Sequence, residues 1–200
     1  MINIKAATLV DIDAVVYIHQ QAFPDFFLTT LGSGFLKLYY KSVLTHPRGI
    51  LLVSENESGI IGFCAGTMLS AGFNSRLIKA NLFSFTVEGL KVLFTRPVAL
   101  WHLYKNMSKE NSSIGDKGEY AELLSIGVNP NTQRTGAGKG MLMALEEEVQ
   151  KRGGEKLSLT TDYYENEKAI GFYHSLGYED WYDFVTYPDR RMYRMIKKLK

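Results

Sequence analysis

The sequence predicts a mixed α/β fold, and three features carry that expectation. After residue 119 the apolar pattern passes through strand, helix, strand, helix and two further strands in strict succession. Earlier, the apolar runs 50–54 and 60–66 flank the turn signal Asn56-Glu57-Ser58-Gly59 and predict an antiparallel pair. Within the later region, the run 126–140 leaves a strand through Asn129-Pro130, turns through Gly136 and Gly138, and opens a helix.

Taken in order, Ile2 and Ile4 alternate with polar neighbours and predict a first strand. Asp11 stands as N-cap to a helix whose apolar positions, Ile12, Val15, Val16, Ile18 and Ala22, keep helical spacing until Pro24. The stretch 24–32 is an unusually apolar loop, either pinned on the core or lining a pocket. Phe35, Leu36, Leu38, Tyr39, Val43 and Leu44 predict a second helix ending near His46-Pro47. Following the strand pair, 70–118 reads as a helical insertion within a single domain of 1–200, with helices over 78–88 and 97–109. Its load of Leu82, Phe83, Phe85, Leu93, Phe94, Leu100, Trp101 and Leu103 closes the core, with a lid or a homodimer contact as the second reading. Glu88, Lys91, Arg96 and Pro97 interrupt it, so it predicts no membrane span.

The central strand is 120–128. The helix after it places Leu142, Leu145 and Val149 on one face, sets Lys151 and Arg152 at its negative end, and stops at Gly153. A buried strand over 157–161, a helix over 166–175 and strands over 181–187 and 192–196 complete the chain, the last two joined by Pro188-Asp189. A strand, a helix and a next strand in one sheet imply a right-handed crossover, which puts the glycine run at a sheet end.

Composition narrows the function classes. Two hundred residues with 46% hydrophobic content suit one domain with a full core. The 23 basic and 21 acidic residues are interspersed, so no nucleic-acid footprint forms. Cys64, the sole cysteine, lies in an apolar strand and reads as a small hydrophobe. His19, His46, His102 and His174 have no metal-ligand spacing, so no metal is expected. The start, Met1-Ile2-Asn3-Ile4-Lys5, lacks a signal-peptide pattern and points to the cytoplasm.

The glycine run builds an anion site, because the first amides of a helix lack intrahelical partners and the helix dipole adds positive potential there. It is not a Walker loop, which would need Gly at Gln133 and Ser or Thr at Gly140. Nor is it a dinucleotide fingerprint, since Met141 stands where the third glycine belongs. The remaining pattern, Gln133-x-x-Gly136-x-Gly138, resembles the acetyl-CoA loop of the GCN5-related N-acetyltransferase (GNAT) superfamily. A second block, Asn166-x-x-Ala169-x-x-Phe172-Tyr173-x-x-x-Gly177-Tyr178, is similar to another segment of that superfamily and stands about 30 residues downstream. Together the two cover roughly 122–181, nearly a third of the chain.

The resemblance implies a GNAT-type mixed, mostly antiparallel sheet flanked by helices, with a splayed central strand pair. It implies acetyl-CoA as cosubstrate, its pyrophosphate met by Gln133, Arg134, Thr135, Gly136, Ala137, Gly138 and Lys139. Its pantetheine arm would pair with the main chain of Ile126 and Val128, and Asn166 would hold the arm while capping its own helix. Glu122 is the candidate base, placed by strict alternation on one face with Leu124, Ile126 and Val128. Tyr173 is the candidate acid for the departing thiolate and a cosubstrate contact.

The acceptor site implied by the resemblance takes in Phe26, Phe27 and Leu28 and the turn at Tyr187, Arg190 and Arg191. The expected activity is acetyl transfer to a primary amine of a small molecule such as an amino sugar, Arg190 meeting an anionic portion of it. A peptide or protein amine, or a non-catalytic acyl-CoA-binding module, are the alternatives.

Overall fold

The computed structural model describes residues 2–95, 115–132, 135–186 and 189–200. The expected helix over 97–109, with Trp101, lies outside the described residues, as do Gln133, Arg134 and Tyr187. Seven strands form one sheet: β1 Asn3–Ala6, β2 Gly49–Asn56, β3 Gly59–Thr67, β4 Ala121–Val128, β5 Lys156–Asp162, β6 Glu179–Thr186 and β7 Arg190–Lys198. Their order is β1-β2-β3-β4-β5-β7-β6, and every neighbouring pair is antiparallel except β4 and β5. The helices are α1 Ile12–Ala22, α2 Phe27–Thr30, α3 Ser33–Thr45, α4 Phe73–Ala80, α5 Leu82–Thr95, α6 Ala137–Lys151 and α7 Glu167–Ser175.

Each sheet face has its own core. On one, Met141, Leu142, Leu145 and Val149 of α6 pack on Leu52, Cys64, Leu123 and Leu159, joined by Tyr173 and Tyr178. On the other, Val15, Val16 and Ile18 of α1 and Leu36 and Tyr40 of α3 cover Val53, Phe63 and Ala65. The spacing of 142, 145 and 149 thus buries one helical stripe as expected.

Local differences from the expected elements have local causes. Asp11 does precede α1, but its carboxylate accepts from the Thr8 backbone N–H at 2.7 Å and from its hydroxyl at 2.8 Å. It therefore closes the turn before the helix rather than the helix itself. Within the apolar loop, 27–30 winds into a single helical turn, and Leu31 is buried against Phe35 and Phe85. The expected helix over 78–88 is broken at Asn81, which leaves helical geometry between α4 and α5 while its side chain donates to the Leu77 carbonyl at 3.2 Å. The described part of the insertion divides its apolar load: Phe73, Leu77 and Phe85 enter the core, whereas Leu82, Phe83, Val87 and Leu90 are exposed. Among the described residues no helix is long and apolar enough to cross a membrane.

The central pair does splay. β4 meets β5 only at Ala121, Glu122 and Leu123, and from Leu124 onward it has β3 alone as a partner. The same point carries a bulge, because Ala65 of β3 stands opposite Ser125 and Gly66 opposite Leu123, leaving Leu124 unmatched. The expected alternation is corrected here. Cys64, opposite Ile126, faces the α6 core, whereas Thr67, opposite Glu122, points to the other side with Ala65 and Phe63. The extra residue flips the phase, so Glu122 and Leu124 do not share a face with Ile126 and Val128.

Candidate active site

The gap opened by the splay is a cleft of about 830 Å³. Its walls are Leu123 to Ile126 of β4, Thr160 to Asp162 of β5, and Asn166, Ala169 and Tyr173 of α7. Phe23 to Phe26 close it on the α1 side, and Thr186, Arg190 and Met192 on the β6–β7 side. Parallel strands that part company leave backbone edges unpaired on both sides, and such edges suit an extended ligand bearing amides. Gly127, beyond the gap, is a close-packing position: a Cβ there would meet Phe63 at 2.8 Å and Phe23 at 3.2 Å.

β4 leads directly into the anion site. Asn129 continues the ladder by donating to the Ile61 carbonyl at 2.8 Å, and its side chain accepts the Asn131 N–H at 3.0 Å, which turns the chain. Gly136 then caps α6 with φ of +82°, a left-handed conformation that glycine adopts without strain. The first amide of α6 to bond back is that of Gly140, at 2.9 Å from the Gly136 carbonyl, so the amides of Ala137, Gly138 and Lys139 precede the helical ladder. A Cβ at Gly136 would meet nothing within 4 Å, and one at Gly138 only Val128 at 3.8 Å. The loop is thus an open cradle at a helix N-terminus, which fits a pyrophosphate. The exposed Thr135 hydroxyl donates to the Thr132 carbonyl at 3.0 Å.

On the opposite wall, the side-chain amide of Asn166 donates to the Thr161 hydroxyl at 2.6 Å and the Asp162 carbonyl at 3.1 Å. It makes no cap bond to its own helix, so its work is to tie α7 to the end of β5. Tyr173 is 9% exposed, and burial pushes its phenol up to about 12. It therefore keeps its proton at neutral pH. His174, next in sequence, faces outward and pairs with Asp180 at 2.9 Å.

Glu122 lies outside the cleft walls. One of its oxygens pairs with the Arg194 guanidinium and the other accepts the Ser70 hydroxyl at 2.5 Å. Burial works against the charge on Arg194, but Glu122 outweighs it and keeps that guanidinium firmly cationic. Beside this pair, where the insertion rejoins the core, Asp116 accepts from the hydroxyls of Tyr120 and Tyr182, each at 2.5 Å.

At the mouth, Arg190 forms a two-point ion pair with Asp162, at 2.5 and 2.7 Å, and its guanidinium lies 5.3 Å from the centre of the Phe26 ring. The expected use of Arg190 for a substrate anion meets a guanidinium already engaged. Asp25, exposed on the same rim, has no ion-pair partner among the described residues. Phe27 contributes its backbone to the start of α2.

The sequence profile of the acetyltransferase (GNAT) family matches residues 13–178. The chain belongs to that family. No curated protein matches it. Among solved structures, the ribosomal-protein-S18-alanine N-acetyltransferase of Escherichia coli is 18% identical with a TM-score of 0.63, the alignment covering 100% of this chain and 95% of that one. The putative acetyltransferase yncA of Salmonella typhimurium, solved with its cofactor acetyl-CoA, is 17% identical with a TM-score of 0.63, covering 100% and 94%. The ribosomal-protein-alanine N-acetyltransferase of Brucella melitensis is 19% identical with a TM-score of 0.65, covering 98% and 99%. At such identities the likeness is one of fold.

The family match ends at Tyr178, so Thr186, Arg190 and Met192, which wall the β6–β7 side of the cleft, lie beyond it. Residues that sequence reasoning left without a role also line the cleft or stand behind it: Asp25, Ser125, and the buried pair His19 and Tyr40. His19 carried a usable signal, since 12, 15, 16 and 19 form one helical stripe and the last of them is a histidine.

Proposed function

We propose that the chain is an N-acetyltransferase that moves an acetyl group from acetyl-CoA to a primary amine held in the splayed cleft. The observation that carries this reading is continuity: the free edge of β4 forms the cleft wall and runs on to Val128, beside Gly138 in the helix-start cradle. Ala137, Gly138 and Lys139 would meet the pyrophosphate, and the main chain of Ile126 and Val128 the pantetheine amides. The acetyl-CoA bound by the Salmonella relative supports that assignment.

The reaction is direct attack: the amine nitrogen forms a bond to the thioester carbonyl carbon, the carbon–sulfur bond breaks so that sulfur leaves as a thiolate, the nitrogen sheds a proton to solvent, and the thiolate takes one from solvent. The amine proton leaves by the solvent-open rim beside Asp25, and Tyr173 donates a hydrogen bond to the departing sulfur. Glu122 enters as the partner that holds Arg194. As a free base, Glu122→Gln would lose most activity at low pH, where free amine is scarce. As a clamp, it is expected to leave the pH profile unchanged, while Glu122→Ala strands Arg194 and lowers stability by about 3 kcal/mol in a melt.

The acceptor is a small amine such as an amino sugar, admitted past Asp25, since Arg190 is neutralised by Asp162. A panel of amino sugars, polyamines, amino acids and peptides, incubated with acetyl-CoA while free thiol is followed, tests the reading. Amine-dependent thiol release is expected; tight coenzyme binding with no release from any amine would favour a binding module. The cradle has its own check. Gly138→Leu keeps ordinary helical geometry but projects a side chain over the loop, and is expected to weaken acetyl-CoA binding at least about tenfold by calorimetry.

A further inference from the structure

We propose that Ser125 is the side chain that holds the attacking amine, and that His19 and Tyr40 behind it are positioning residues that fix its hydroxyl. This rests on the acetyltransferase reading above.

Ser125 lies on the cleft wall at the first position after the bulge, on the sheet face that carries α1 and α3. The Tyr40 hydroxyl lies 2.9 Å from its Oγ and 2.6 Å from Nδ1 of His19. Both Tyr40 and His19 are 0% exposed, so this hydrogen-bonded line runs from the hydrophobic core to the cleft and opens only at Ser125. Rings of Phe23, Phe26, Phe63 and Tyr40 surround the imidazole, and its Nε2 has no hydrogen-bond partner among the described residues. His19 and Tyr40 are shut off from water, so each finds its polar partner only within this line, and the line holds the Ser125 hydroxyl in place at the cleft.

The chemistry needs such a group. A neutral amine attacks with its lone pair, so one of its N–H bonds must point to an acceptor on the wall for the lone pair to face the thioester carbon. A serine hydroxyl has one proton and two lone pairs. Tyr40 takes up one of these positions, and whichever tautomer His19 adopts, Ser125 retains at least one lone pair for the amine N–H. Tyr39, whose ring packs against Tyr40, and Tyr40 itself are held protonated by burial, burial keeps His19 neutral, and the Glu122 carboxylate that acts on Tyr39 is already paired with Arg194. No charge in the line competes for the amine, and the line does not collect its proton.

The test is a mutant cycle read by steady-state kinetics with the best amine of the panel and acetyl-CoA. Ser125→Ala is expected to raise the KM for the amine or lower kcat/KM for it roughly tenfold, with acetyl-CoA affinity unchanged. Ser125→Thr, which keeps the hydroxyl, is expected to restore most of the loss. Tyr40→Phe should reproduce part of the Ser125→Ala defect, and the double variant should be no worse than Ser125→Ala alone, because Tyr40 acts only through Ser125. Normal amine kinetics in Ser125→Ala, or defects that multiply in the double variant, would overturn the proposal while leaving the acetyltransferase reading intact. Absence of turnover with every amine in the unmodified protein would overturn both.

Discussion

Tyr173→Phe is expected to lower kcat about a hundredfold, with little change in affinity for acetyl-CoA or amine. The thiolate leaving the thioester has a conjugate acid of pKa about 8.5, and burial holds the Tyr173 phenol at about 12. Full proton transfer from this phenol to that sulfur is uphill by roughly 3.5 pKa units, or about 5 kcal/mol. The group therefore works best as a fixed hydrogen-bond donor to sulfur as negative charge develops, in a cleft where little water competes. Two consequences distinguish it from an exposed acid. Its proton is retained throughout the range in which most enzymes are assayed, so it contributes no alkaline fall in rate below about pH 11. Phenylalanine preserves the ring packing against Phe172 and Tyr178, so a melt should barely move while kcat collapses. A Tyr173→Phe rate within twofold of the unmodified protein would remove the hydroxyl from the chemistry.

What could be read in the sequence and what could not follows from how far each signal reaches along the chain. The α6 stripe, the β2–β3 turn and the glycine cap at Gly136 are local, each decided by spacing or backbone freedom within a few residues, and all stand where expected. The β4 bulge is different. Leu123-Leu124-Ser125 contains no glycine or proline to mark it, and it exists because β4 leaves β5 at that point, a tertiary event. Missing it inverted the phase of the strand and placed Glu122 on the wrong face relative to Ile126. The charges failed for a similar reason. Glu122 with Arg194 and Asp162 with Arg190 are partners 72 and 28 residues apart, so each side chain looked free when considered alone. Asn166 and Tyr173 both line the cleft, one just before α7 and one on it, and the spacing that brings them there is local.

Acid should unfold this protein in a way that reports His19. The imidazole is fully buried among aromatic rings, and burial lowers it from an ordinary 6.5 to about 4. A folded pKa below the unfolded one means that, between those two values, the unfolded chain binds more protons. Stability contributed by the neutral imidazole is therefore complete above pH 6.5, is lost as pH falls from 6.5 to 4, and levels off below 4. The interval corresponds to about 3 kcal/mol. That is a large share of the net stability of an ordinary domain. His46 is lowered as well, by burial and by Arg76 and Arg48, and adds a loss of the same sign. His19→Asn separates the two, because it keeps a polar atom near the Nδ1 position for Tyr40 but carries no charge at any pH. Denaturant midpoints measured from pH 7.5 to 4 should fall steeply for the unmodified protein and much less for His19→Asn, even if the variant starts lower. Parallel pH curves for the two proteins would show that the buried imidazole is not what acid attacks. Were the cage around it to admit water or a counter-ion, the depressed pKa would vanish, and with it the dry wall that keeps Tyr40 and Ser125 in line.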